Sequence, residues 1–212
     1  MFANRTAAGE RLGERLAAEG VATDLVLAIP RGGLPLGRAV ADALDAPLDV
    51  VVAKKIGAPG NAEFAIGAVA SDGSTWYNED AIDRLGVSGA YIRDAWANTT
   101  VAARQKAIAY RQGETLGDLT GQTVVVVDDG VATGATARAC LRQVREAGAA
   151  EVIFAVPVGP PDTVDALAAE ADRVICLERP RNFQAVGRHY RDFSQVPDEE
   201  AMTYLDTGEQ RA

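Results

Sequence analysis

Four consecutive valines, Val124–Val127, run straight into two aspartates and a stretch of glycine, alanine and threonine that ends at Thr136. A continuous branched apolar run suits a strand that is covered on both faces. Such a strand belongs in the middle of a parallel sheet, and a parallel sheet needs crossover connections. The rest of the sequence supplies them. Strand-like runs at Leu25–Ile29, Leu48–Ala53, Val152–Val158 and Val174–Leu177 alternate with helix-like segments. Those segments lie around Ala7–Leu16 (stopped by Gly20), Leu36–Leu44, the stretch after Thr136 through Ala147, and Asp162–Glu170. The alternation predicts an α/β fold with an open, mainly parallel central sheet flanked by helices.

The pattern changes after the second strand, LDVVVA, which is expected to end on Lys54-Lys55. Residues 56–61, IGAPGN, hold two glycines and a proline and read as a loop. Phe64–Ala70 and Ser74–Tyr77 flank Asp72-Gly73, a hairpin signal. Asn78–Leu85 reads as a short helix and Tyr91–Arg111 as a long one. The stripe Ile92, Trp96, Thr99, Ala103, Ala107 and Tyr110 on the long helix is expected to be core. A chain of 212 residues fits one domain, 1–212, with a core over about 1–177 and a tail over about 178–212.

Charge and cysteines exclude several functions. There are 21 basic against 30 acidic residues, a net charge of -9, which argues against a general DNA or membrane-surface binder. Cys140 and Cys176 show no CxxC spacing, so neither a zinc site nor a disulfide framework is expected, and both read as small buried hydrophobes. No run approaches membrane-spanning length and no leader pattern opens the sequence, so a soluble, cytoplasmic protein is the expectation. Lysine is scarce: Lys54, Lys55 and Lys106 are the only ones.

In open α/β sheets, ligands bind beyond the carboxyl ends of the strands. The sequence marks three such ends: PRGG at 30–33, KKIG at 54–57 and DDGVATGAT at 128–136. In the last, Gly130 and Gly134 permit tight turns, Thr133 and Thr136 offer hydroxyls, and a helix follows whose first amides lack partners. That combination cradles a phosphate. Asp128 and Asp129 would repel the phosphate, so they should face a neutral part of the same ligand, such as sugar hydroxyls. A Walker A loop would need Gly-Lys-Ser/Thr, and a dinucleotide fingerprint would need GxGxxG; neither is present. The Asp-x-Asp phosphatase spacing is broken by Gly130. A purely structural role, with the aspartates capping the turn, remains an alternative.

The stretch VVVVDDGVATGAT resembles the phosphoribosyl pyrophosphate motif of type I phosphoribosyltransferases. With PRGG, KKIGAPGN and the tail, the likeness covers about residues 1–205. It implies a Mg²⁺-dependent transfer of a phosphoribosyl group from phosphoribosyl pyrophosphate to a nitrogen acceptor, with release of pyrophosphate. Asp128 and Asp129 would hold the ribose hydroxyls and reach Mg²⁺ through ligand or water. Gly130, Val131, Ala132, Thr133, Gly134, Ala135 and Thr136 would wrap the 5′-phosphate. Arg31, Gly32 and Gly33 match the pyrophosphate loop, where a strained peptide turns an amide toward the diphosphate. Lys54 and Lys55 match the basic pair of the second strand, with a mobile loop at Gly57–Phe64. Arg31 and Lys55 join the two aspartates as the expected catalytic set.

The resemblance also bears on the acceptor. Many 6-oxopurine enzymes of this class place a third Asp where this chain has Ala132, so a hypoxanthine–guanine acceptor is disfavoured within a purine-like expectation. The tail, RPRNFQAVGRHYRDF at 179–193, resembles the acceptor-binding hood, with Phe183 and Val186 against the base and Asp192 near Mg²⁺. His189, the only histidine, reads as a surface or packing residue. A homodimer is implied. The alternative is a phosphoribosyl-pyrophosphate- or nucleotide-sensing regulator of the same fold. It would bind RNA if Arg179, Arg181, Arg188 and Arg191 formed a basic face.

Overall fold

The structure, a computed structural model, describes residues 1–205. The last seven positions of the expected tail, 206–212, lie outside the described residues. Five parallel strands form the main sheet: β1 (Leu25–Ala28), β2 (Leu48–Val50), β6 (Thr123–Val127), β7 (Glu151–Val158) and β8 (Arg173–Glu178). They lie in the order β2-β1-β6-β7-β8, so the valine strand is central. Val125 pairs with Val26 on one side and Ile153 on the other.

The valines divide by alternation, as a doubly covered strand requires. Val125 and Val127 join a core with Leu12 and Leu16 of α1 (Arg5–Ala18) and Leu36 and Val40 of α2 (Gly33–Ala43). Val124 and Val126 join a second core with Cys140 and Leu141 of α5 (Ala135–Glu146) and Leu167 of α6 (Pro161–Leu167). All four valines are fully buried. The alternating segments of the sequence therefore assemble as expected. Helix α1 rests on α2 at backbone distance: a Cβ on Gly9 would lie 2.5 Å from the Leu36 carbonyl oxygen, and one on Gly13 would lie 2.6 Å from Ala43 Cβ.

The segment after β2 departs from the sequence reading. The second strand ends at Val50, and Lys54 and Lys55 belong to a different sheet. That sheet is antiparallel: β3 (Ala53–Ala58), β4 (Asn61–Ala70) and β5 (Thr75–Tyr77). The expected loop at 56–61 is thus mostly strand. Ile56 and Ala58 are buried while Gly57 alternates between them, and the turn chemistry is concentrated in Pro59-Gly60, with Gly60 at φ 73°. The hairpin expected around Asp72-Gly73 is present as β4–β5.

Packing then carries the hairpin to the sheet's carboxyl end. Ala68 and Ala70 of β4 pack on Ala135 and Ala139 at the start of α5. Lys55 pairs with Ala68 across the β3–β4 ladder, so both lie on the same face.

Helix α3 (Glu79–Leu85) begins at Asn78, whose side chain accepts from the Ala81 amide. Helix α4 (Gly89–Tyr110) begins at Ser88, which caps the Tyr91 amide. Ala103, Ala107 and Tyr110 are buried as expected, but Trp96 is 38% exposed. Its indole edge lies on the β4–β5 turn, where Nε1 donates to Thr75 Oγ1 at 2.9 Å. A polar acceptor, which helical periodicity does not reveal, holds it at the surface. Cys140 is buried, but Cys176 on edge strand β8 is only half-buried; burial pushes its thiol up to about 11. Among the described residues no helix is long and apolar enough to cross a membrane.

The tail returns to the start of the chain. Phe2 bridges Tyr190 in parallel, with the Phe2 amide on the His189 carbonyl at 2.7 Å. Helix α7 (Asp198–Thr203) follows. The contact between α1 and α2 gives a direct test. Gly9→Val forces apart two helix backbones that have no slack, and is expected to cost about 1–3 kcal/mol by urea denaturation.

Candidate functional site

The site is built where β6 stops. Asp128 and Asp129 follow Val127, the chain turns at Gly130, and Gly134 (φ 75°) turns it again into α5. Gly134 offers no side-chain cap, so donors of the first α5 turn are available to a ligand. A cleft of about 180 Å³ opens over this loop. It is lined by Lys55, Asp128, every residue from Gly130 to Ala137, and Val186. Val186 begins a short 3-10 turn in the tail (Val186–His189) and closes on the loop: a Cβ on Gly130 would come within 2.6 Å of its Cγ1. Ala132 is exposed, and its carbonyl accepts from Thr163 Oγ1 at 2.8 Å.

The two aspartates have different partners. Asp128 Oδ1 accepts from the Asp129 amide at 2.8 Å. Asp129 Oδ2 accepts from Arg5 Nε at 2.7 Å, and the Asp129 carbonyl accepts from the Tyr190 hydroxyl at 2.6 Å. Burial pushes the Asp128 carboxyl well above the usual carboxylate range, and the neighbouring Asp129 charge adds to the rise. Burial raises Asp129 as well, against the opposing pull of Arg5. The Tyr190 hydroxyl is likewise raised, first by burial and then by the Asp129 charge.

The loop at 30–33 abuts this pair. The Pro30–Arg31 peptide is cis. A Cβ on Gly32 would overlap Asp129 Oδ2 at 1.9 Å, and one on Gly33 would lie 3.0 Å from the Val127 carbonyl oxygen. Any side chain at position 32 would have to displace the Asp129 carboxylate. Arg31 reaches Asp198 at 3.4 Å, and Asp198 also accepts from the Tyr110 hydroxyl. Lys106 Nζ donates to the Pro30 carbonyl at 3.2 Å, and burial lowers its pKa. Lys54, on the other side of the β3 pleat from Lys55, is close enough for its charge to lower Lys106 further.

The cleft therefore gathers Lys55, Asp128, the whole 130–136 loop and Val186, with Gly32, Gly33 and Asp129 directly behind. It does not gather Phe183 or Asp192. Phe183 stacks on His189, with ring centroids 5.5 Å apart. Asp192 is exposed, accepts from the Ser194 amide and hydroxyl, and lines a separate depression beside Asn4, Arg5 and Thr6. Arg179 is engaged by Asp165 on α6 and the Pro161 carbonyl. The sequence reading did not single out Arg5, Lys106 or Asp198 as site residues. The scarcity of lysine is the one signal that could have pointed to Lys106. Arg5 and Asp198 lie far along the chain from the motif and carry no local mark.

The raised Asp128 carboxyl yields a signed expectation. An acid whose pKa is higher folded than unfolded favours the native state at low pH and penalises it as pH rises through the unfolded value. Asp128→Asn should therefore raise the urea midpoint of the ligand-free protein at pH 7, with a smaller gain at about pH 4.5. A lower midpoint at pH 7 would contradict the burial argument.

The chain is similar to known proteins over most of its length. The family model described as phosphoribosyl transferase domain matches residues 4–192. A Mycobacterium tuberculosis protein, named for phosphoribosyl transfer with no acceptor given, is 41% identical over 206 residues. That alignment covers 97% of this chain but 46% of the relative, so the chain spans about half the length of the curated relatives it matches. The crystal structure of TT1426 from Thermus thermophilus is 40% identical, covers 97% of both chains and superposes with a TM-score of 0.81. A Neisseria gonorrhoeae protein solved with bound ppGpp is 15% identical, covers 97% of this chain and 93% of its own, and has a TM-score of 0.51, a likeness of fold alone. The chain belongs to the phosphoribosyl transferase domain family.

Proposed function

We propose that this protein transfers the 5-phosphoribosyl group of phosphoribosyl pyrophosphate to a nitrogen acceptor, releasing pyrophosphate. One observation carries the reading: the glycine- and threonine-rich loop, an aspartate of the adjacent pair and Lys55 line a single cleft. In this reading the 5′-phosphate lies on the amides and hydroxyls of 130–136, at the α5 N-terminus. The ribose hydroxyls donate to carboxyl oxygens of Asp128 and Asp129. Arg31, Lys55 and the amides of Gly32 and Gly33 serve the diphosphate, where negative charge grows as the C1–oxygen bond breaks. Lys106 and Lys54 add positive charge beside that loop.

Mg²⁺ fits the donor set. No group of three or more His, Cys, Asp or Glu side chains forms a metal site among the described residues. Mg²⁺, however, is commonly held by one or two carboxylates plus substrate phosphates and water. Asp128 and Asp129 would reach it in that way, and the ion would offset charge on the diphosphate.

The acceptor we favour is a purine-like base other than hypoxanthine or guanine. Ala132 supports the restriction, because it supplies no proton acceptor at that point of the loop. The test is pyrophosphate release from phosphoribosyl pyrophosphate with Mg²⁺ across a panel of bases and amines, with the nucleotide product weighed by mass spectrometry. One acceptor should give product, and Asp128→Asn/Asp129→Asn should lower its turnover by at least ~100-fold, as loss of transition-state positioning does. Binding of phosphoribosyl pyrophosphate with no turnover on any acceptor would instead favour a sensing role.

A further inference from the structure

Of the two adjacent aspartates, Asp129 is the one with an ion-pair partner among the described residues, and that cation comes from the start of the chain. Arg5 opens α1 directly after its Asn4 cap. Its Nε lies 2.7 Å from Asp129 Oδ2, and the two side chains are only 11% and 15% exposed. The guanidinium is fixed on two further sides. Nη1 donates to the Ser194 carbonyl at 2.7 Å, and Cζ sits 3.9 Å over the Phe193 ring. Gly32 closes the arrangement: a Cβ there would lie 1.9 Å from Asp129 Oδ2 and 3.2 Å from Arg5 Nε. The tail thus holds Arg5, and Arg5 holds Asp129.

We propose that Arg5 is a positioning residue for the sugar-binding carboxylate, an inference that rests on the phosphoribosyl pyrophosphate reading above. Two physical effects support the role. Two carboxylates side by side repel each other, and a buried partner cation offsets one of the charges before a polyanionic ligand arrives. A carboxylate bound through Oδ2 to a guanidinium that is stacked and hydrogen-bonded has lost its rotamer freedom, so Oδ1 is presented in a fixed direction. Phe193 and Ser194 act through Arg5, which gives the tail a part in sugar binding apart from any contact with the acceptor.

The test is calorimetric titration with phosphoribosyl pyrophosphate and Mg²⁺ on wild type, Arg5→Met, Arg5→Lys, Asp129→Asn and the Arg5→Met/Asp129→Asn double variant, with folding checked by circular dichroism. Arg5→Met should weaken binding at least ~10-fold, Arg5→Lys should recover most of that loss, and in the Asp129→Asn background Arg5→Met should add less than ~2-fold. Wild-type affinity in Arg5→Met, or full additivity in the double variant, would overturn the inference. Should Arg5→Met fail to fold, Phe193→Leu tests the same coupling by removing part of the stacking platform. It should weaken binding ~3-fold in wild type and leave the Asp129→Asn background unchanged. No binding by wild type would overturn the donor reading, and this inference with it.

Discussion

Two adjacent carboxylates are buried at the end of the central strand, and their mutual repulsion is the constraint that the surrounding structure answers. Asp128 and Asp129 each lose water there, and the Asp129 charge adds to the cost of ionising Asp128. Arg5 reaches one carboxylate, the Asp129 amide serves the other, and the Tyr190 hydroxyl donates to the Asp129 carbonyl. Gly32 leaves the room in which this packing is possible. Residues from the start of the chain, the 30–33 loop, the end of β6 and the tail therefore meet within a few ångströms. A site of this kind is held at some cost in stability, the usual exchange for a preformed polar pocket.

The protein as a whole is acidic, yet its few lysines are placed around the 30–33 loop and the cleft. Lys55 lines the cleft, and Lys106 is fastened to the Pro30 carbonyl with Lys54 near enough to perturb it. Arg31 stands on the same loop, tied to Asp198 of α7. A net charge of -9 over the whole chain does not prevent anion binding when local charge is concentrated in this way. An acidic composition is therefore compatible with binding a small polyanion.

Much of the scaffold was legible because it follows from local rules. The valine run, the glycines that stop helices and the Asp72-Gly73 turn each specify structure over a few residues, and the central strand, α1, α5 and the β4–β5 hairpin appear where those rules put them. The loop that lines the cleft was legible for the same reason, since its residues are consecutive in sequence. What was not legible depends on contacts across the chain. Lys54 and Lys55 look like a strand terminus, but β4 pairs with them and makes them part of a second sheet. Trp96 follows the apolar period of α4, but Thr75 on a distant strand holds its indole outside. Arg5 has no signature of its own, and only the tertiary fold brings it to Asp129, Phe193 and Ser194.

In the proposed function the 130–136 loop receives the phosphate end of phosphoribosyl pyrophosphate. Amide hydrogen exchange with and without phosphoribosyl pyrophosphate and Mg²⁺ tests it most directly. Exchange is expected to slow in the loop and first turn of α5, residues 130–137, and at Gly32 and Gly33, while α3 and the exposed face of α4 stay unchanged. Saturating ligand that leaves the amides of 130–137 at their ligand-free rates would contradict it.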